Sequence, residues 1–193
     1  CMVNVDSEAA YNHLKSVARS ATTYSVENAE ADMQAVDVEY SATETRFAIR
    51  LGKVVEEGYA THLLGRGNIL NLVAAVGVAR ALGVSAEACR RAIRQIEQVE
   101  HRLSMRRQGG ITILDDAYNS NPTGARMALD VLSDFATEGM RYVVTPGFVE
   151  MGSKQYANNR AFGCDIARSK ADEVYVVNEV NREAICEGMN EGG

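Results

Sequence analysis

The stretch "ILDDAYNSNPTG", residues 113–124, sets two carboxylates, a tyrosine and two asparagines between an apolar run and a proline. Ile111, Ile113 and Leu114 read as a buried strand that ends at Asp115 and Asp116. Asn121 is a natural helix N-cap, and Pro122 falls in the first turn, where a missing N–H costs nothing. The stretch is therefore a strand, a polar turn and a helix start, with the polar cluster at the carboxyl end of the strand. In open α/β sheets ligands bind at that end, and the free N–H groups of a helix start favour an anion.

The same rhythm continues downstream. RYVVTP (141–146) and EVYVVN (173–178) are apolar strands. Helices are expected over PTGARMALDVLSDFA (122–136), KQYANNRAFGCDIARS (154–169) and VNREAICEGM (180–189). Three apolar strands alternating with helices predict parallel βαβ units and a Rossmann-like parallel sheet with flanking helices.

Upstream the periods differ. Residues 7–19 read as a helix capped by Ser7, with Ala10, Leu14 and Val17 at helical spacing. QAVDVEYS (34–41) and ETRFAIRL (44–51) alternate across a gap at Ala42-Thr43, and GYATHLLG (58–65) offers a third strand, which together predict a small antiparallel sheet. GNILNLVAAVGVARALG (67–83) is apolar nearly all round, which predicts deep burial, with Gly83 just past its end. Ser85 caps a second helix striped by Ala88, Ala92, Ile96 and Val99. The pattern changes near residues 100–110, and the expected division is 1–107 and 108–193.

The 193 residues carry 26 acidic and 20 basic side chains, a net charge of −6, which argues against a general nucleic-acid binder. No apolar run of membrane-spanning length occurs. Cys1, Cys89, Cys164 and Cys186 form no CxxC pair, so reduced thiols in a cytoplasmic protein are expected. His13, His62 and His101 are too dispersed to suggest a metal site from spacing.

Chemically, a carboxylate at a strand tip can accept hydrogen bonds from both hydroxyls of a ribose, and asparagine amides suit a purine edge. A well-capped βα turn accounts for Asn121 and Pro122 equally well, though not for Asp115, Asp116, Tyr118 and Asn119 together. In "LLGRGNILNLVAA" (63–75), Asn68 and Asn71 share a face of a helix start. Asn68 could simply cap that helix, whereas Asn71 in so apolar a helix needs a partner. In "EHRLSMRR" (100–107), Arg102 could reach a phosphate, while Arg106 and Arg107 read as a solvated basic segment.

These three stretches resemble, in the same order, the motifs of the Mur ligase family, ATP-dependent amide ligases of peptidoglycan precursor synthesis. The residues are Gly65-Arg66-Gly67-Asn68 through Asn71, Ala74 and Ala75; then Arg102-Leu103; then Asp115-Asp116-Ala117-Tyr118-Asn119-Ser120-Asn121-Pro122. The last form and "VVTPGFVEMG" (143–152) are most similar to the branch that joins D-alanyl-D-alanine to a UDP-N-acetylmuramoyl-tripeptide. The resemblance implies a three-domain parent, of which this chain holds the end of the central ATPase domain and most of the C-terminal domain. It implies that Asn68 and Asn71 lie beside the adenine and that Arg102 approaches the nucleotide. It further implies that Asp116 holds the ribose, with Tyr118 and Asn121 near the nucleotide after closure about a hinge near residues 99–108. ATP and Mg2+ are the implied cofactors, and the intact enzyme is expected to be a monomer acting on small molecules.

Two departures stand out. Gly67 replaces the family's usual histidine. The only Gly-Lys, Gly52-Lys53, is followed by Val54, so no phosphate-cradling loop is present, and the family's magnesium ligands and modified lysine are expected upstream of residue 1. The chain alone is therefore expected to be inactive. Other readings are another amino-acid-adding Mur ligase, a folylpolyglutamate synthetase relative, or a non-catalytic nucleotide-binding module. A dehydrogenase is disfavoured, because no GxGxxG follows a strand.

Overall fold

The computed structural model describes residues 1–17, 20–41, 44–118, 120–135 and 137–193, with the backbone alone at residues 9, 10 and 15–17. The expected Ala42-Thr43 connection, Asn119 of the polar corner and the side chains of Ala10 and Val17 lie outside the described residues. The chain divides into two compact units, Cys1–Gln98 and Val99–Gly193.

The first unit is a five-stranded sheet in the order β1 (Met2–Asn4), β2 (Thr22–Ser25), β3 (Met33–Tyr40), β4 (Thr45–Leu51), β5 (Val54–Thr61). Strands β1, β2 and β3 run parallel, with α1 (Glu8–Val17) crossing from β1 to β2; β3, β4 and β5 are antiparallel. The antiparallel element foreseen in the sequence is thus one side of a mixed sheet. Strands β1 and β2 escaped notice because three or four residues are too few to display a period.

The third antiparallel strand also starts earlier than expected, at Val54 rather than near 58. The two-residue turn Gly52-Lys53, with Gly52 at φ 56°, pairs Leu51 with Val54 and begins β5 at once. Glu56 and Glu57 break the apolar alternation there and hid the strand's first half.

Helix α2 (Arg66–Ala81) packs on β1, β2 and β3, and α3 (Ala86–Arg94) packs on β5. Met33, Ala35, Phe47, Ile49 and Tyr59 from the sheet meet Ile69, Leu72, Val73 and Val76 from α2 and Cys89 and Ile93 from α3. Gly77 lets α2 come this close, since a Cβ there would sit 2.9 Å from Met33 Sδ and overlap Met2. Contrary to the expectation of all-round burial, α2 hides one face only: Ala75 and Val78 are exposed. The apolar composition misled because small residues occupy its outer face.

In the second unit, β6 (Ser104–Gln108) and β7 (Ile111–Asp115) form an antiparallel hairpin. Gly109 and Gly110, at φ 57° and 82°, supply the two left-handed residues of its turn. Then follow α4 (Pro122–Asp134), β8 (Tyr142–Thr145), a short 3-10 turn, α5 (Gln155–Arg168), β9 (Glu173–Val176) and α6 (Arg182–Gly192). Strands β8 and β9 pair in parallel. The expectation that 111–116, 141–146 and 173–178 share one parallel ladder needs correcting: among the described residues β7 is bonded only to β6. The diglycine turn hands β7 a ready partner on its own chain. Nor is β7 fully buried, since Ile111 is 66% exposed.

Ala125, Leu129, Phe148, Phe162, Ile166 and Ile185 form this unit's core. Gly163 and Gly188 allow α5 and α6 into backbone contact. After β8, the buried Asn159 and Asn181 grip the 146–148 loop: Asn159 Oδ1 accepts from Phe148 N at 2.7 Å, and Asn181 Nδ2 donates to Pro146 O at 2.9 Å. Among the described residues no helix is long and apolar enough to cross a membrane.

Candidate nucleotide-binding site

The two carboxylates at the tip of β7 have different tasks. Asp115 Oδ2 lies 2.9 Å from His101 Nδ1, and Oδ1 accepts from Ala117 N at 3.2 Å. Both oxygens are engaged, and the bond to His101 leads in drawing its carboxyl below the ordinary range. Asp116 is half-buried, and its Oδ1 accepts from Leu103 N at 3.0 Å. Burial pushes its carboxyl up, against the Leu103 N–H, which pulls it down; the Asp115 charge adds to the rise.

The other oxygen, Asp116 Oδ2, makes no hydrogen bond among the described residues. It lies beside the first turn of α4, 3.6 Å from where a Cβ on Gly124 would stand. Asn121 Nδ2 lies 3.4 Å from that same point. The absent side chain at Gly124 leaves this space open.

Arg102 completes the corner. Its guanidinium carbon sits 4.5 Å from the centre of the Tyr118 ring, and Tyr118 is 65% exposed. The turn carrying Arg102 is unusual: His101 and Leu103, on either side, hold φ of 61° and 48°. Non-glycine residues rarely adopt such values. Asn121 caps α4, with Oδ1 accepting from Gly124 N at 3.0 Å, and Pro122 follows it. The capping role read from the sequence is therefore real, and it leaves Asp116, Arg102 and Tyr118 to be explained otherwise.

In the first unit, Asn68 does not cap α2. Gly65, at φ 85°, occupies the N-cap without a side-chain bond. Asn68 Nδ2 instead donates back to Leu64 O at 2.7 Å, which leaves its amide oxygen without a partner among the described residues. Asn71, one turn later, is exposed and makes no hydrogen bond among the described residues. It needs no protein partner, because the helix face carrying it is wet; the apolar sequence suggested otherwise.

The corner thus gathers Arg102, Asp116, Tyr118 and Asn121, and Asn68 and Asn71 belong to the other unit. Two contributors went unread in the sequence. His101 was visible only as part of a basic stretch, and Gly124 only as an ordinary helix residue; a glycine in the first turn after a capped proline was the available signal. A half-buried carboxylate with one oxygen unshared among the described residues, beside an exposed aromatic ring and a guanidinium, suits a nucleoside sugar and its neighbouring base or phosphate. Among the described residues no group of three His, Cys, Asp or Glu side chains could hold a metal ion.

Known proteins share this arrangement of domains. Residues 1–79 match the Mur ligase middle domain, and residues 101–193 match the Mur ligase, glutamate ligase domain. Over 145 residues the chain is 26% identical to the UDP-N-acetylmuramoyl-tripeptide--D-alanyl-D-alanine ligase of Bacillus subtilis, covering 75% of this chain and 31% of that protein. Over 118 residues it is 34% identical to the UDP-N-acetylmuramate--L-alanine ligase of Solibacter usitatus, covering 61% of this chain and 25% of that protein. The crystal structure of MurF ligase from Thermotoga maritima in complex with ADP superposes with a TM-score of 0.76 at 21% identity, covering 96% of this chain and 42% of that one. The chain spans about a third or less of the length of these curated relatives. With a middle-domain segment followed by the glutamate ligase domain, it belongs to the Mur ligase family.

Proposed function

We propose that this chain is part of an ATP-dependent amide ligase that joins D-alanyl-D-alanine to a UDP-N-acetylmuramoyl-tripeptide. Asp116 is its ribose acceptor, and the observation that carries this role is Oδ2, which shares no hydrogen bond among the described residues. A carboxylate placed only to fasten its own loop, as Asp115 is, has both oxygens in use. Arg102 and Tyr118 offer a stacking face and a positive charge beside it, and Asn121 Nδ2 lies across the Gly124 gap. Asn68, whose amide oxygen has no partner among the described residues, and Asn71, whose amide makes no hydrogen bond among them, are assigned to the adenine edge.

In the intact enzyme the nucleotide supplies a phosphoryl group that activates the substrate carboxylate, and the dipeptide amine then displaces phosphate to form the amide. The residues of this chain orient rather than react: they hold sugar and base so that the phosphates project in a fixed direction. The nucleotide named for the Thermotoga maritima relative supports the cofactor, and the Bacillus subtilis relative supports the choice of amine. The similarity to an L-alanine ligase favours a second reading, in which the same site serves an enzyme adding a single amino acid.

The test is a titration of the chain with ADP and with 2′,3′-dideoxy-ADP. Loss of hydrogen bonds to a carboxylate should weaken the dideoxy compound by roughly tenfold to a hundredfold. In Asp116→Ala the two should bind alike. Equal affinities in the wild-type chain would remove the ribose role.

A further inference from the structure

We propose that His101 is a positioning residue for the candidate nucleotide site, clasping Asp115 so that the turn 101–103 lays Arg102 across Tyr118 and sets the Leu103 N–H on Asp116. The proposal rests on the nucleotide reading for its consequence, though not for its geometry.

Two of the three residues in this turn are left-handed, His101 at φ 61° and Leu103 at φ 48°. A non-glycine backbone keeps such angles only when its surroundings hold it there. At Leu103 the hold is plain, since the side chain is buried and the N–H donates to Asp116 Oδ1. At His101 the side chain is half exposed, and burial cannot do the work. The hold is instead polar and threefold: Nδ1 lies 2.9 Å from Asp115 Oδ2, the backbone N–H donates to Ser104 Oγ at 3.2 Å, and the carbonyl accepts from Tyr118 N at 3.0 Å. The adjacent carboxylates of β7 thus grip the two ends of one turn, and Arg102 is the residue between the grips.

The consequence is directional. The His101 carbonyl fixes the Tyr118 backbone, and the His101 ring fixes the backbone that bears Arg102, so a single residue sets both halves of the guanidinium–ring stack. If the ring of His101 lets go, Arg102 loses its fixed aim while the core beneath, anchored by Leu103, stays in place. Glu100 Oε1, 3.7 Å from His101 Nε2, and Arg106, whose charge acts on Asp115, are the other charged groups at the clasp.

Three variants of the full chain test this. His101→Gly accepts the left-handed angle without strain but has no ring. His101→Asn also tolerates the angle, and its amide nitrogen falls where Nδ1 stands, so it restores the donor. Asp115→Ala opens the clasp from the strand side and serves if the glycine variant does not fold. The first readout is the ring-current shift of the Arg102 δ-protons under Tyr118, measured by NMR without nucleotide. It should be present in wild type, lost in His101→Gly and Asp115→Ala, and regained in His101→Asn. The second is ADP affinity, which should fall about tenfold in His101→Gly and recover in His101→Asn, the loss of one charge-assisted bond's worth of alignment. An unchanged shift in His101→Gly and Asp115→Ala, or no recovery in His101→Asn, overturns the proposal. Wild-type and His101→Gly chains that bind ADP equally also overturn it and leave the nucleotide reading standing. A shift that follows the expected pattern in a chain that binds no ADP supports the positioning geometry and sinks the nucleotide reading.

Discussion

Replacing Asp116 separates its structural bond from its proposed ribose contact. Asp116→Ala leaves the Leu103 N–H without its acceptor, 3.0 Å away in the native chain, at a residue only 7% exposed. Stranding a buried donor costs about 1–3 kcal/mol. For a unit of this size each kcal/mol lowers the melting temperature by roughly 4–8 °C, so the drop should be about 5–20 °C. Asp116→Asn retains an oxygen for Leu103 and removes a partly desolvated charge, so it should melt within about 1 kcal/mol of wild type.

The pH dependence follows from the same carboxyl, whose folded value is raised by burial above 3.8. A raised group adds stability that is present below its ordinary value and is lost as pH rises through the folded one. Wild type should therefore gain on Asp116→Asn as pH falls towards 4. Circular dichroism melts of the three proteins between pH 4 and pH 7 are the assay. If Asp116→Ala melts together with Asp116→Asn across that range, the Leu103 bond is not what Asp116 contributes to the fold, and the two-task account of this carboxylate fails.

Other predictions test different links. Gly188→Ala drives a methyl into the Arg160 carbonyl of the facing helix; urea melts should show a loss of about 1–3 kcal/mol, and a neutral result would mean that α5 and α6 are not in backbone contact. Asn159→Ala strips the acceptor from Phe148 N and a donor from Phe148 O and Gln155 O; a loss of about 3 kcal/mol or more is expected by chemical denaturation, with faster amide exchange at Phe148. Asn71→Ala should leave stability within about 0.5 kcal/mol, because the side chain is exposed, while weakening ADP in the titration above; a large stability change would reassign Asn71 to the fold. The chain by itself should release no phosphate from ATP, and release that Asp116→Ala abolishes would overturn that expectation.

Local signals carried much of the architecture. Ser85 and Asn121 were recognisable as caps and are caps, because a capping bond spans only three residues of chain. The alternation of Phe47, Ile49 and Leu51 marked β4, since side chains on successive residues must point to opposite faces. The polar corner was legible for the same reason: Asp116, Tyr118 and Asn121 are neighbours in sequence, and a strand–turn–helix keeps them so. Apolar composition was less reliable, as α2 shows, because it does not say which face meets the sheet.

What the tertiary structure decided was partnership between distant residues. Nothing in MVN or TTYS alone marks two strands; their pairing across twenty residues, and the helix laid over them, make them so. The same holds at the site. Two adjacent aspartates are equivalent in sequence, yet one meets His101 and Ala117 and the other meets Leu103, so among the described residues one carboxylate is consumed and the other keeps an oxygen open. Propensity and spacing act over a few residues, whereas a side chain's partner depends on where the rest of the chain returns.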